Sequence, residues 1–273
     1  MSDAPDPKAQ AEAWWATSII DMKPGQIRLR GYPIEQLIGN VSYVETVWMM
    51  LRGELPSKAQ AALLEAALVA AVDHGPQAPA VAIARMAVTA GNDLNHALGS
   101  GINVLGDVHG GAGQQAMEIY QAIHARMDMG AALEQAVDDE LTAFFAHTKH
   151  LPGFGHRFHP VDPRAPRLMA LVEDAAKAGT VTDDYRWIGL AVEAALARKT
   201  KRQLPMNIDG ATAVIFCALG FPAPLGRGLF LLSRAVGLLA HAWEEMNQGT
   251  RIKGPLPAGW LYAYTGPPKR DVP

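Results

Sequence analysis

Apolar and polar positions follow one another along most of this chain with the spacing of an amphipathic α-helix. Between residues 59 and 72, apolar side chains recur at intervals of three and four, as on one face of a helix. Ser57 is a suitable N-cap before this segment, and Gly75 with Pro76 is a suitable stop after it. The apolar positions of this face are Leu63, Leu64, Ala67, Leu68 and Val72.

The same start and stop signals predict further helices, whereas strand character is confined to residues 27–29 and 41–43. Segment 149–166, which is rich in Gly, Pro, His and Arg, and segment 204–210 do not fit a helix, and 255–273 fits an extended tail. We therefore predict an all-α fold, and the absence of a fixed-period repeat disfavours a solenoid. The predicted helices are 43–52, 59–72, 80–89, 112–127, 131–147, 163–178, 184–199, 211–219 and 225–247.

Composition narrows the class of protein. Lys and Arg number 24 against 27 Asp and Glu, so the net charge of −3 disfavours a nucleic-acid partner. Hydrophobic residues make up 49% of the 273 residues, enough for a substantial core. A lone cysteine, Cys217, excludes an intrachain disulfide and a thiolate metal cage, and favours a reducing compartment.

No part of the sequence has the pattern of a targeting signal or a membrane span. The first residues are rich in Asp and Pro, unlike a secretory or transit signal. The most apolar stretch, 226–243, contains Arg227, Ser233, Arg234 and His241, so we interpret it as a buried helix of a soluble protein. The sequence predicts a cytoplasmic protein with no membrane association.

Three histidines lie next to glycines in segments where a ligand could approach the main chain closely. These are His74, His109 and His156, and imidazoles in such loops are suited to proton transfer or to stabilising an oxyanion. For each one taken alone, a structural role remains equally open. A metal site at His156, His159 and Asp162 is disfavoured, because Pro160 breaks the helix that would align them.

Arginines and one aspartate complete the candidate site. Arg157 and Arg164 share the segment of His156, and Arg234 lies in the most apolar stretch, where a guanidinium needs an anionic partner. That partner is either an internal carboxylate or a polycarboxylate ligand held in bidentate fashion. Asp209 precedes a hydrophobic helix and is either its N-cap or a general base, and position alone favours the cap.

Taken together and in this order, the motifs resemble the citrate synthase superfamily over residues 27–247, and most of all its citryl-CoA lyase branch. That branch includes the citrate-synthase-like module of ATP citrate lyase. The motifs are Arg-Gly-Tyr-Pro-Ile at 30–34, Gly-Glu-Leu-Pro at 53–56, Asp-His-Gly-Pro at 73–76, Gly-Asp-Val-His-Gly-Gly-Ala at 106–112, Gly-Phe-Gly-His-Arg at 153–157, Asp-Pro-Arg at 162–164, Asn-Ile-Asp-Gly at 207–210 and Ser-Arg-Ala-Val-Gly at 233–237.

The resemblance implies an all-α homodimer, with a higher homo-oligomer as the alternative, and a subunit with a large helical domain, 1–112 and 219–273, and a smaller inserted helical domain, 113–218. The active site is then expected in the cleft between them. It implies catalytic roles for three residues, His109, His156 and Asp209. It implies that four more bind the substrate, namely His74, Arg157, Arg164 and Arg234.

The implied reaction is cleavage of citryl-CoA, or a close 3-hydroxy-3-carboxyacyl-CoA, to acetyl-CoA and oxaloacetate through an enolate. Coenzyme A enters as part of the substrate, and no metal or other cofactor is expected. The alternative is a citrate or alkylcitrate synthase, and a third reading is a helical protein that binds an acyl-CoA or a partner without catalysis. Two departures from the synthase pattern, a short segment before His74 and an unclear counterpart for a late arginine near Arg251, favour the lyase.

Overall fold

The computed structural model describes residues 6–156, 159–257 and 259–272, which form twelve α-helices and one small sheet. The fold class is all-α, as predicted. The helices are α1 (Pro7–Trp14), α2 (Ile34–Leu37), α3 (Tyr43–Arg52), α4 (Lys58–Ala70), α5 (Pro79–Thr89), α6 (Leu94–Asn103), α7 (Ala112–Asp128), α8 (Leu133–Phe145), α9 (Arg164–Lys177), α10 (Asp184–Thr200), α11 (Ile208–Ala218) and α12 (Ala223–Gln248).

The sheet near the amino terminus has three short antiparallel strands in the order β1 (Ile20–Lys23), β2 (Gln26–Leu29) and β3 (Tyr32–Pro33). The predicted strand at 27–29 is part of β2, but the prediction of a strand at 41–43 is wrong. There, Ser42 is the N-cap of α3, and its side chain and that of Glu45 form a reciprocal capping box. This local capping overrides the strand propensity of the two neighbouring residues, Val41 and Tyr43.

The helices predicted from start and stop signals are present, with ends that differ by a few residues. Ser57 caps α4 as expected, accepting a hydrogen bond from the backbone N–H of Gln60. Helix α6 was not predicted, because its sequence contains Gly99, Ser100 and Gly101, which are weak helix formers. A Cβ at Gly101 would lie 3.0 Å from a backbone oxygen of α5, so close packing explains the glycine there.

The apolar side chains form two clusters. The larger one joins α3 and α4 to helices α7–α11 and to the first residues of α12, and α11 is buried along nearly all of its length. The smaller one lies between α5 and α12 and centres on Val81 and Leu238. Because α4 packs on both α9 and α11, the larger cluster crosses the boundary expected between domains. The division into 1–112 with 219–273 and 113–218 stays a prediction.

Helix α12 is the longest element and places a candidate site residue in the interior. In the part of the chain that the structure describes, it is the one helix long and apolar enough to span a membrane by length and composition, contrary to the sequence-based expectation. It packs on α4, α5, α6, α7 and α11, and its buried face contains Ser233, Arg234 and Glu245. These contacts bury one face of α12, whereas the opposite face leaves apolar side chains exposed, so the expectation of a buried helix holds for one face only.

Candidate active site

His74 lies in the turn that follows α4. The Asp73 carboxylate accepts a hydrogen bond from the backbone N–H of Gly75 at 3.0 Å, and Gly75 has a φ of +81°, which favours glycine. Helix α12 approaches this turn so closely that a Cβ at Gly237 would lie 2.3 Å from the backbone oxygen of Val72. The position of His74 is therefore fixed by the packing of α12 on the turn.

His109 lies in the tight loop that leads into α7. The backbone N–H of Gly106 donates to the carbonyl of His109 at 2.8 Å, and a Cβ at Gly111 would lie 2.6 Å from the carbonyl of Asp107. The Nε2 atom of His109 accepts a hydrogen bond from the backbone N–H of Ala80, in the first turn of α5, at 3.3 Å. In the neutral ring the proton is therefore on Nδ1, which is left to act as a donor.

The loop that contains His156 is joined to the segment before α11. Gly155 N–H donates to the carbonyl of Pro205 at 2.7 Å, and Asn207 N–H donates to the carbonyl of Gly153 at 3.0 Å. The Nδ1 atom of His156 accepts from the backbone N–H of His159 at 3.1 Å, which places the proton of the neutral ring on Nε2. This loop brings the rings of His156 and His74 to a centroid distance of 5.6 Å. Arg157, predicted to bind substrate, lies outside the described residues.

Asp209 is the second residue of α11 and does not cap it. The expectation from position alone is wrong, because Asn207 is the N-cap and its side chain accepts from the N–H groups of Asp209 and Gly210. A Cβ at Gly210 would lie 2.5 Å from the carbonyl of Gly153, so these two glycines let the His156 loop lie directly on the helix. No described residue donates a hydrogen bond to the Asp209 carboxylate, which is left available for chemistry.

The two described arginines of the candidate site differ in their partners. Arg164 donates from its backbone N–H, Nε and Nη2 to the buried carboxylate of Asp162 at 2.8–3.1 Å. Arg164 thus has an internal ion pair of the kind that the sequence left open for Arg234. Arg234 is buried, donates from Nε to the carbonyl of Ala71 at 3.2 Å and lies over the ring of Phe230. Among the described residues, no carboxylate forms an ion pair with Arg234.

The candidate histidines, arginines and Asp209 lie close enough for their charges to act on one another. The charge of Arg234 acts on His74, His109 and Asp209, and the charge of Arg164 acts on His74, His156 and Asp209. The first turn of α7 also adjoins α11, because a Cβ at Gly113 would lie 4.0 Å from the carbonyl of Asp209. Six of the seven predicted site residues therefore converge, and their catalytic and binding roles stay predictions.

Burial shifts the protonation of the three candidate catalytic groups. Burial lowers the pKa of His109 and of His156, and the nearby cations Arg234 and Arg164, respectively, act in the same direction. Burial raises the pKa of the Asp209 carboxyl, although Arg164 and Arg234 oppose the change. The site thus favours neutral imidazoles beside a carboxyl that holds its proton more firmly than usual.

Asp162 is a residue that sequence reasoning left without a role. It also accepts a hydrogen bond from the backbone N–H of Ile208, the first residue of α11, at 3.0 Å. Burial opposes its ionisation, but the hydrogen bonds and charge of Arg164 prevail and lower its pKa to about 2. The signal in the sequence was its position two residues before Arg164. The described residues contain no group of three or more His, Cys, Asp or Glu side chains arranged to hold a metal ion.

The sequence of this chain matches one known protein family over most of its length. The family described as citrate synthase, C-terminal domain, matches residues 9–67 and 56–255, which is most of the chain. The chain belongs to the citrate synthase family.

Within the citrate synthase family, a solved structure of citryl-CoA lyase from Hydrogenobacter thermophilus superposes with a TM-score of 0.83 and is 32% identical, covering 95% of this chain and 97% of that one. A citrate synthase from Acidithiobacillus ferridurans is 29% identical over 83% of this chain and 56% of its own length. A 2-methylcitrate synthase from Mycobacterium tuberculosis is 27% identical over 93% of this chain and 60% of its own length. This chain thus spans less than two thirds of these two synthases.

Proposed function

We propose that this protein cleaves citryl-CoA, or a close 3-hydroxy-3-carboxyacyl-CoA, to acetyl-CoA and oxaloacetate. The observation that carries the proposal is a buried guanidinium, Arg234, without a described carboxylate partner, beside Asp209 and His109. A buried arginine of this kind is suited to a carboxylate of the substrate. The likeness to a citryl-CoA lyase over nearly the full length of both chains supports the same reaction.

In the proposed cleavage, the citryl hydroxyl loses its proton to His156 and its oxygen becomes the ketone oxygen of oxaloacetate. The electron pair of the broken carbon–carbon bond passes to the acetyl group, which becomes an enolate. Nδ1–H of His109 donates to the thioester oxygen, where this negative charge develops. Asp209 then gives its proton to the methylene carbon, and its raised pKa suits a group that must be protonated first.

The second candidate is condensation of an acyl-CoA with oxaloacetate, as in a citrate or alkylcitrate synthase. In this direction His156 donates to the ketone oxygen of oxaloacetate. Cleavage is the reverse of this step, so the bond from His159 N–H to Nδ1 of His156 bears equally on both directions. The synthase relatives support the same alternative.

Substrate binding is assigned to the same cluster. His74, Arg164 and Arg234 are proposed to hold the oxaloacetate carboxylates, and the thioester carries coenzyme A into the site. The proposed reaction needs no other cofactor. We propose that the two predicted domains close over the substrate and exclude water. We also propose that the enzyme is cytoplasmic.

One comparison of rates tests the proposal. Purified enzyme is given citryl-CoA in one assay and oxaloacetate with acetyl-CoA or propionyl-CoA in another, and kcat/KM is compared. Faster cleavage supports the lyase, and condensation with negligible cleavage overturns it in favour of the synthase. Asp209→Asn is expected to lower turnover by about a hundredfold or more, whereas the exposed Asp138→Asn is the matched control. A wild type that catalyses neither reaction, with every measurable property unchanged in Asp209→Asn, would support a non-catalytic binding protein.

We also propose a homodimer. Five apolar side chains project from α12 at alternating intervals of four and three residues, the spacing of a seam between two packed helices. A twofold axis lets the same stripe serve both copies. Light scattering is expected to give twice the chain mass of 29.2 kDa, and Val236→Glu should yield monomers; a monomeric wild type would contradict the proposal. The stripe consists of Leu232, Val236, Leu239, Trp243 and Met246.

A further inference from the structure

A chain of hydrogen bonds joins the turn of His74 to helices α5 and α12. His241, on α12, lies with Nε2 3.2 Å from the carboxylate of Asp73. Its Nδ1 lies 3.0 Å from Nη1 of Arg85, on α5. Since a guanidinium only donates, Nδ1 accepts and the proton of the neutral imidazole is on Nε2, directed at Asp73. The ring of His241 is thus fixed in one tautomer between a cation and an anion.

The far end of this chain is anchored in the protein interior. Arg85 donates from Nε to the carboxylate of Glu245, which is buried, and from Nη1 to Glu244 at 2.6 Å. The Glu245 carboxylate also accepts from Nζ of Lys253 at 2.8 Å. Two cations therefore balance one buried carboxylate, and Arg85 is held in the orientation that serves His241. None of these five residues has a part in the proposed reaction.

Helix α12 contacts the end of α4 and the following turn along one face. Ser233 donates from Oγ to the carbonyl of Leu68, and Arg234 donates from Nε to the carbonyl of Ala71. Gly237 lies against Val72, and His241 is the next position on this face. The same face thus fixes the guanidinium of Arg234 and the turn that contains His74, so their separation depends on how the turn is held.

We infer that His241 is a positioning residue that holds Asp73, and through it the imidazole of His74, in the place where His74 binds the substrate carboxylate. The binding role of His74 rests on the proposed function. The hydrogen bond from His241 opposes rotation of the Asp73 side chain, which in turn accepts from the N–H of Gly75 and shapes the turn. Arg85 acts one step further away, by holding the tautomer of His241.

The test uses the full chain and three substitutions. His241→Leu removes both hydrogen bonds, whereas His241→Gln keeps one donor and one acceptor. Val192→Ala shortens a buried side chain on α10, which does not pack on α5 or α12, and serves as the control for lost stability. In the faster of the two assays, His241→Leu is expected to raise KM for citryl-CoA or for oxaloacetate by about tenfold with little change in kcat. His241→Gln should restore most of the loss, and Val192→Ala should not change KM.

A second measurement does not depend on turnover. In protein labelled with ¹³C-histidine, the ring signal of His74 is identified by its loss in His74→Gln. His241→Leu should displace that signal, and Val192→Ala should leave it in place. An unmoved signal or an unchanged KM in His241→Leu would overturn the inference. A displaced signal in an enzyme whose wild type catalyses neither reaction would overturn the proposed function but support the positioning of His74 by His241.

Discussion

Replacing Asp162 by Asn is expected to destabilise the protein and to remove part of its sensitivity to acid. Asp162 accepts three hydrogen bonds from Arg164 and one from the N–H of Ile208, and its side chain is fully buried. The NH₂ group of an Asn side chain would face a guanidinium that can only donate hydrogen bonds. The substitution also removes the negative charge that balances Arg164. Loss of one partner of a buried pair costs about 3–5 kcal/mol.

The pKa of Asp162 gives an independent magnitude. The difference between about 2 in the folded protein and the usual 3.8 corresponds to about 2.5 kcal/mol. Because the pKa is lowered by folding, this stabilisation is fully present above about pH 5. It is lost as pH falls through 3.8 towards 2, and about 1 kcal/mol of it should be gone at pH 3. The variant lacks this component at every pH.

The assay is urea unfolding followed by circular dichroism at pH 7, 5, 4 and 3, at one protein concentration. The free energy of unfolding of the wild type should exceed that of Asp162→Asn by about 3 kcal/mol at pH 7. The difference should be about 1 kcal/mol smaller at pH 3. Asp138→Asn, which removes an exposed ion pair with Arg198, should behave like wild type. A difference below about 1 kcal/mol at pH 7, or one that does not change with pH, would refute the reasoning.

Three further outcomes follow from the geometry of the site. Gly210→Ala should cost about 1–3 kcal/mol of unfolding free energy and lower kcat/KM, because its Cβ would lie 2.5 Å from the carbonyl of Gly153; Gly228→Ala, with open space around it, is the control, and equal stability of the two variants would contradict the account. Asp209→Asn should retain oxaloacetate binding by calorimetry while losing turnover, and lost binding would assign Asp209 to the ligand site instead. Burial lowers the pKa of His109, so the neutral ring persists to lower pH than an ordinary imidazole; any loss of kcat/KM caused by protonation of His109 should be centred below 6.5, and a decline centred at 6.5 or above would exclude a neutral donor.

Most elements of the fold follow from local sequence. The helix at 43–52 was predicted with both ends correct, because a capping box at Ser42 and Glu45 and a glycine at position 53 act over a few residues. Helix α6 escaped prediction because its glycines are unfavourable locally and are compensated by packing on α5 and α12. The strand expected at 41–43 failed for the opposite reason, since the cap of α3 prevailed over residue propensity.

The sequence by itself determined which chemical groups the candidate site contains. Histidines flanked by glycines and an arginine within an apolar stretch can be recognised from the residues next to them in the chain. Only the tertiary structure decided how those groups are arranged and which of their atoms donate or accept hydrogen bonds. The hydrogen bond from the N–H of Ala80 to Nε2 of His109 sets the tautomer of that ring, and the bond from the N–H of Asp209 to the side-chain oxygen of Asn207 makes Asn207 the cap and leaves the Asp209 carboxylate free of that role. The contact of His241 with Asp73 joins residues 168 positions apart in sequence. Such contacts depend on the distance between residues in space. That distance is set by the packing of the helices and cannot be read from the separation of the residues along the chain.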